Sequence, residues 1–239
     1  MLTSNESIRG LTVALALALA GTACGSSSSS SSNPSNPTAP GGTSGACRTY
    51  PTTANVTTTA LGVTQTAMLT GAFNASTNQA TITISFTGGA LCSTAVHTWR
   101  STADFVDETR VIPPRPLVLT TVTTNSGACG SGTGTSTNTY DSQRRLATQT
   151  SSAGGTTTYT AWDSSNRPTA GTMSNGGTIA NVYNDAARTV TQTQVSGGVT
   201  SVSTQTFDAN GAQTQIVVTT SGVTSTTTFT NTATATVCS

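Results

Sequence analysis

Tyr140-Asp141-Ser142-Gln143-Arg144-Arg145 and Trp162-Asp163-Ser164-Ser165-Asn166-Arg167 follow one plan: an aromatic, an Asp, a short polar step and an Arg. A third copy, Tyr183-Asn184-Asp185-Ala186-Ala187-Arg188, carries its Asp one place late. A fourth, Phe207-Asp208-Ala209-Asn210-Gly211-Ala212, has Ala where Arg is expected, and a worn fifth begins at Phe229. The aromatics fall 22, 21, 24 and 22 residues apart (140 to 162, 183, 207 and 229). A Gly pair keeps the same register at Gly154-Gly155, Gly176-Gly177 and Gly197-Gly198, with only Gly222 left in the fourth copy. Two marks in one register define a repeat array, in which each unit buries a face against its neighbours.

Each unit reads as two strands and two turns. An Asp accepts hydrogen bonds from backbone N–H groups ahead of it and opens a tight turn. The fourth place after each aromatic holds Arg144, Asn166, Ala187 and Gly211. A turn closing with positive φ favours Gly or Asn there, which two copies supply. Alternating β-biased runs follow: Leu146 to Thr150, Thr189 to Val195 and Thr214 to Thr219. The Gly pair then reverses the chain toward the next aromatic. The expected fold is all-β, an antiparallel meander of β-hairpin repeats with a period of about 22 residues, preceded by a small β-rich region.

The array resembles the YD-repeat, or RHS, family, whose pattern is Tyr-Asp-x-x-Gly-Arg followed by an apolar residue, a Gly-containing turn and a return strand. Tyr140, Asp141, Arg145 and Leu146 match it, as do Trp162, Asp163 and Arg167, Tyr183 and Arg188, and Asp208 with Gly211. Asp185 and Phe207 hold the remaining motif places. The resemblance covers roughly residues 137 to 231. Large members of the family build a hollow β-shell from dozens of repeats and release a C-terminal toxin by self-cleavage. Four or five repeats are too few to enclose anything, so the resemblance implies a short sheet.

Residues 1–23 read as an export signal with the apolar core Leu11 to Ala20, too short to span a bilayer comfortably. Gly21-Thr22-Ala23-Cys24 resembles a bacterial lipobox, which implies a diacylated Cys24. The alternative is ordinary cleavage after Ala18-Leu19-Ala20, leaving Cys24 a plain thiol. Residues 24–46, with serine from Ser26 to Ser32 and then Asn33 to Gly42, have nothing to bury and suit a disordered tether. Gly25 after the Cys resembles lipoproteins sent to the outer membrane.

Cysteine parity fits the lipid. With Cys24 acylated, Cys47, Cys92, Cys129 and Cys238 remain, enough for two disulfides in an exported protein. Three connectivities are open. Cys47–Cys92 with Cys129–Cys238 is favoured, because it closes each region on itself; four reduced, buried cysteines are the alternative. No metal site is expected, since the spacings are long and His97 is the only His.

Composition bounds the class. Thr makes up roughly a quarter of the 239 residues, only 7% are charged, and all nine basic residues are Arg. Thr favours strands and tolerates a wet face. No stretch after the signal shows sustained helical periodicity. A net charge of +1 offers no basic field for nucleic acid. Residues 47–134 form the β-rich region, with strands expected over Ala60 to Thr70, Gln79 to Phe86, Ala95 to Arg100 and Leu117 to Thr124. Asn74 to Asn78 reads as a hairpin turn, Pro113, Pro114 and Pro116 exclude their segment from a central strand, and the run from Gly130 to Thr137 reads as a loop. Residues 135–239 hold the repeats, and the β-rich region either stands apart from them or continues the same sheet.

No nucleophile–base pair is visible, and no cofactor is expected. The best chemical cluster is His97 with Asp104, Asp107 and Glu108, where a general acid/base pair is conceivable and a polar loop with its own salt bridges is the plainer reading. Tyr140, Trp162, Tyr183 and Phe207 pack on neighbouring repeats, or else form an exposed row that stacks on sugars. The chain therefore reads as a non-enzymatic envelope lipoprotein, a structural or interaction module anchored in the membrane by lipid and facing an envelope protein or glycan. The other readings are a glycan binder using the aromatic row and a hydrolase at His97, Asp104 and Glu108.

Overall fold

The computed structural model describes residues 47–86, 91–108, 110–126, 131–153 and 155–239. The signal, lipobox and tether expected over 1–46, including Cys24, lie outside the described residues, as does Cys129.

Fourteen strands pair in chain order and close on themselves. The first five are β1 (Cys47–Ala60), β2 (Val63–Asn74), β3 (Gln79–Phe86), β4 (Leu91–Thr98) and β5 (Thr120–Asn125). The next five are β6 (Gly132–Tyr140), β7 (Leu146–Ser151), β8 (Gly155–Trp162), β9 (Pro168–Met173) and β10 (Thr178–Asn184). The last four are β11 (Thr189–Ser196), β12 (Val199–Phe207), β13 (Gln213–Thr220) and β14 (Val223–Cys238). Every neighbouring pair is antiparallel, as a meander of hairpins requires, and β14 pairs with β1 along a register from Ala60↔Ser225 to Cys47↔Cys238. The all-β hairpin meander is therefore the architecture of the protein.

Three features differ from the expected short sheet. The repeats do not stand alone: the sheet runs through the expected boundary at 134/135, which falls inside β6, and β1–β5 supply the strands that close the barrel. The run from Gly130 to Thr137 is largely strand, because Thr133, Thr135, Thr137 and Thr139 alternate at the period of a pleated ladder. Phe229 opens no fifth turn; it sits in mid-strand opposite Val56 and packs in the core.

The two kinds of turn sit at opposite ends. Leu61-Gly62, Gly197-Gly198 and Ser221-Gly222 have positive φ at both residues, as the type I′ turns of two-residue hairpins demand. Leu61 does not announce such a turn, which is why the run from Ala60 to Thr70 reads as one strand when it holds the last residue of β1, the turn and most of β2.

The Asp turns lie at the other end, and their rule is simpler than the aromatic spacing suggests. The residue three places after each Asp has positive φ: Arg144 (60°), Asn166 (63°), Arg188 (54°) and Gly211 (77°). Its N–H reaches back to the carbonyl of Asp141, Asp163, Asp185 or Asp208. Because Asp185 comes one place late, the third turn shifts by one. Arg188 then occupies the Gly/Asn position, not the place of Arg145 and Arg167, and Ala187 does not take the positive φ.

The register sorts side chains into two faces. Outward positions are dominated by Thr, whose hydroxyls pair across strands at Thr59–Thr64 (3.0 Å), Thr139–Thr148 (2.7 Å), Thr150–Thr156 (3.0 Å), Thr191–Thr204 (3.1 Å) and Thr219–Thr224 (2.9 Å). Such pairs each add a few tenths of a kcal/mol to about 1 kcal/mol. Inward positions hold the core. Ala54, Val56, Leu69, Ile84, Ile216 and Phe229 form one cluster across the β1–β14 seam, and Leu146, Tyr159 and Ile179 form another under the repeats.

The seam is covalent. Cys47 and Cys238, opposite one another in the register, are joined by a disulfide. This corrects the expected Cys47–Cys92 and Cys129–Cys238 pairing: barrel closure makes the first and last strands neighbours, so the longest-range pair forms. Cys92 is disulfide-bonded as well.

Candidate functional site: the plugged end of the barrel

The connection from β4 to β5 carries the largest concentration of charge and aromatic surface in the molecule. Among its described residues the only regular element is α1 (Thr102–Asp107), capped by the Ser101 hydroxyl, which accepts from Asp104 N. Six residues are too few to show helical periodicity, so α1 was not expected from sequence. The segment lies against the barrel end that carries the Asp turns. Trp99, Phe105, Val106, Leu117 and Val118 are buried with Ala80, and Tyr50, Phe73, Tyr140 and Val237 pack around them. Phe73 stacks on Phe105 at 4.0 Å, and Trp99 meets Phe105 edge-on at 5.0 Å.

A buried polar network holds this plug. Arg48, fully buried on β1, donates from Nη1 to Phe105 O (2.7 Å) and Glu108 Oε2 (3.4 Å), with its guanidinium 4.0 Å from the Phe105 ring centroid. Glu108 also accepts from Trp99 Nε1 (2.9 Å) and Leu117 N (3.4 Å). Burial pushes its carboxyl above the usual carboxylate range, while Arg48, Trp99 and Leu117 pull the other way. Asp104 is shared between Arg100 and Arg144. Arg144 also reaches Asp107 at 3.5 Å.

His97 lies on the inner face of β4, 1% exposed, with Nδ1 2.9 Å from Thr121 Oγ1. Burial first, and Arg48 second, lower its pKa to about 4, so it is neutral at pH 7. His97, Asp104 and Glu108 are thus near in sequence and occupied separately: Thr121 takes the first, arginines the second, and Trp99, Arg48 and Leu117 the third. Asp107 pairs with Arg110 at 2.6 Å. The geometry joins no acid to a base here. Among the described residues no group of three His, Cys, Asp or Glu is placed to hold a metal ion.

The repeat residues form the other half of the clamp. Asp141 Oδ1 accepts from Gln143 N and Arg145 N, both at 2.9 Å, and its Oδ2 takes Arg145 Nε at 2.6 Å. These bonds, led by the Arg145 N–H, hold its carboxyl below the ordinary range. Asp163 repeats the arrangement with Ser165 N, Arg167 N and Arg167 Nε. Asp208 accepts from Asn210 N and Ala212 N, both at 2.8 Å. Asp185 departs from the pattern, since Asn184 takes over the local bond to Ala187 N and Asp185 accepts Arg167 Nη1 at 2.7 Å.

Arg145 and Arg167 each also cover the next repeat's ring. Arg145 lies 4.2 Å from the Trp162 centroid and Arg167 4.3 Å from that of Tyr183. Trp162 donates to Leu146 O, Tyr183 to Pro168 O and Tyr140 to Val118 O. Phe207 is buried. The aromatics are packing elements covered by guanidinium or protein, not an exposed row. Arg167, with a side chain 5% exposed, reaches on to Pro113 O at 3.3 Å and so ties the third Asp turn to the plug.

Sequence reasoning missed Arg48, Trp99 and Arg144 as clamp residues. Arg144 left a signal, because an Arg at a positive-φ position is a poor turn former and needs another reason to be there. Arg48 left none, since its partners lie 57 and 60 residues away.

No protein-family model matches the chain, and no curated protein matches it. Among solved structures, a porin-like protein from Bacteroides uniformis is similar at 14% identity over 76% of this chain and 96% of its own, with a TM-score of 0.36, a likeness too loose to carry anything over.

Proposed function

We propose that the chain is a non-enzymatic, water-facing barrel of a bacterial cell envelope, tethered by lipid on Cys24 and serving as a structural or interaction module. The observation that supports this reading most is the outer wall. A lipid-facing barrel carries an apolar outward band bordered by aromatic girdles. Here the outward positions are mostly paired Thr, and the repeat aromatics are spent on internal packing. The titratable groups at the plugged end are occupied in holding the plug, which fits an interaction module better than a hydrolase.

Two measurements test the reading. Palmitate labelling in a bacterial host marks the wild type and spares Cys24→Ser; equal labelling of both refutes the anchor. Val182 is 68% exposed on the outer face of β10. Val182→Arg leaves a water-facing barrel within about 0.5 kcal/mol of wild type, whereas arginine at a bilayer midplane costs about 2–4 kcal/mol. A loss of the larger size refutes the water-facing wall.

A further inference from the structure

The inner wall of β10–β13 is largely polar and uncharged, like that of β5–β8 (Thr123, Asn125, Ser136, Gln149, Thr157) and unlike the apolar seam around β1. Between the apolar Ile179, Val190, Ile216 and Val218, its inward positions carry amides and hydroxyls at Gln192, Gln194, Ser201, Ser203 and Gln205. No Asp, Glu or Arg faces inward on these strands; the charges of the repeats sit in the Asp turns. These side chains face the inside of a closed barrel, yet they are only half-buried. Their hydrogen bonds run sideways along the wall: Gln192 Nε2 donates to Asn181 Oδ1 at 3.1 Å and Gln213 Nε2 to Gln205 Oε1 at 3.2 Å. Eight strands close around a core that side chains just fill, and about sixteen leave an aqueous channel, so fourteen leave room beside the plug.

One further observation points to a ligand in that room. At the Gly-turn end, Val63, Val199 and Val223 have inward register but remain about half exposed, at 47%, 47% and 45%. The two-residue turns beside them are too short to fold across the mouth. Among the described residues, exposed valines on β2, β12 and β14 form a partial valine collar at the mouth, and the one on β12 leads into the uncharged wall of donors and acceptors.

We infer that the barrel interior along β10–β13 binds a neutral oligosaccharide, entered from the Gly-turn end. Sugar hydroxyls match side-chain amides and hydroxyls as paired donors and acceptors, their C–H faces match the valine collar, and the absence of charge on the wall selects against acidic glycans. This site is separate from the outer wall and the lipid anchor, so it goes beyond the proposed function and fails independently of it.

The test is calorimetric titration of the exported protein with maltohexaose, cellohexaose and chitohexaose, and with oligogalacturonate as the acidic control. At least one neutral sugar binds and the acidic one does not. Gln192→Leu with Gln205→Leu weakens binding by about tenfold or more, as for the loss of two hydrogen-bonding amides. Thr191→Val with Thr204→Val, on the outer face of the same strands, leaves it unchanged. Ser203→Cys adds an arm that does not depend on the leucine variants folding: a small water-soluble thiol reagent modifies it, and the sugar protects it. Failure of all three neutral sugars, loss of binding in the threonine variant alone, or binding without protection at residue 203 overturns the inference.

Discussion

Arg167→Ala removes the residue in which repeat turn, neighbouring ring and plug meet. Its guanidinium stacks on Tyr183 at 4.3 Å, a contact worth about 1–2 kcal/mol when largely desolvated. Its hydrogen bond to Pro113 O is buried, and a charged donor to a carbonyl contributes about 1.5–3 kcal/mol. The ion pairs add less. Asp185 is 65% exposed and rehydrates at little cost, while Asp163 keeps the Ser165 and Arg167 backbone N–H groups. The sum is a destabilisation of about 3 kcal/mol. Urea unfolding followed by far-ultraviolet circular dichroism at pH 7 reads it as a lower midpoint at unchanged slope. Arg167→Lys recovers less than half, because an ammonium neither stacks as a plane nor reaches the carboxylate and carbonyl together. Asp185→Asn stays within about 0.5 kcal/mol of wild type. An Arg167→Ala protein as stable as wild type refutes the idea that this side chain fastens the plug.

His97 has an ordinary pKa of 6.5 and a folded value of about 4, so between these pH values the unfolded chain binds more protons and stability falls on acidification. The loss from pH 7 to pH 5 is about 2 kcal/mol, and urea midpoints at the two pH values show it shrinking in His97→Gln. Trp162→Ala, which strips the Leu146 hydrogen bond and the Arg145 stack, costs about 3 kcal/mol in the same assay. Cys47→Ser with Cys238→Ser reopens a loop with a sequence separation of 191, for which chain entropy gives about 5 kcal/mol. A midpoint unchanged on this double substitution shows that the ladder alone closes the barrel.

The repeat turns are legible because they are local. Asp, its two or three backbone donors and the positive-φ residue lie within five places of one another, and the late Asp185 moves the whole turn with it. The strands of the array are legible for the same reason. Closure is not, because the β1–β14 pairing depends on the number and lengths of all the strands between them. Gly132 and Gly134 read as a loop when their inward positions belong to a ladder whose outward partners are Thr. The plug was hidden by distance too: Arg48 and Glu108 carry no spacing signal, and the three prolines marked their segment only as non-strand.

The disulfide at the seam also sets where mechanical load can enter. Cys47 and Cys238 sit side by side at the Asp-turn end, so whatever precedes residue 47 departs beside the last strand, with the Gly-turn mouth at the opposite pole. Tension drawn through that departing chain would otherwise peel β1 from β14 one hydrogen bond at a time, like a zip. With the two strands bridged at the point of pull, the force passes into both at once, and rupture must begin by shearing against their outer neighbours β2 and β13, with many bonds loaded in parallel. Were the barrel hung from residue 47, as the proposed lipid tether requires, the bridge would resist its unravelling from that point.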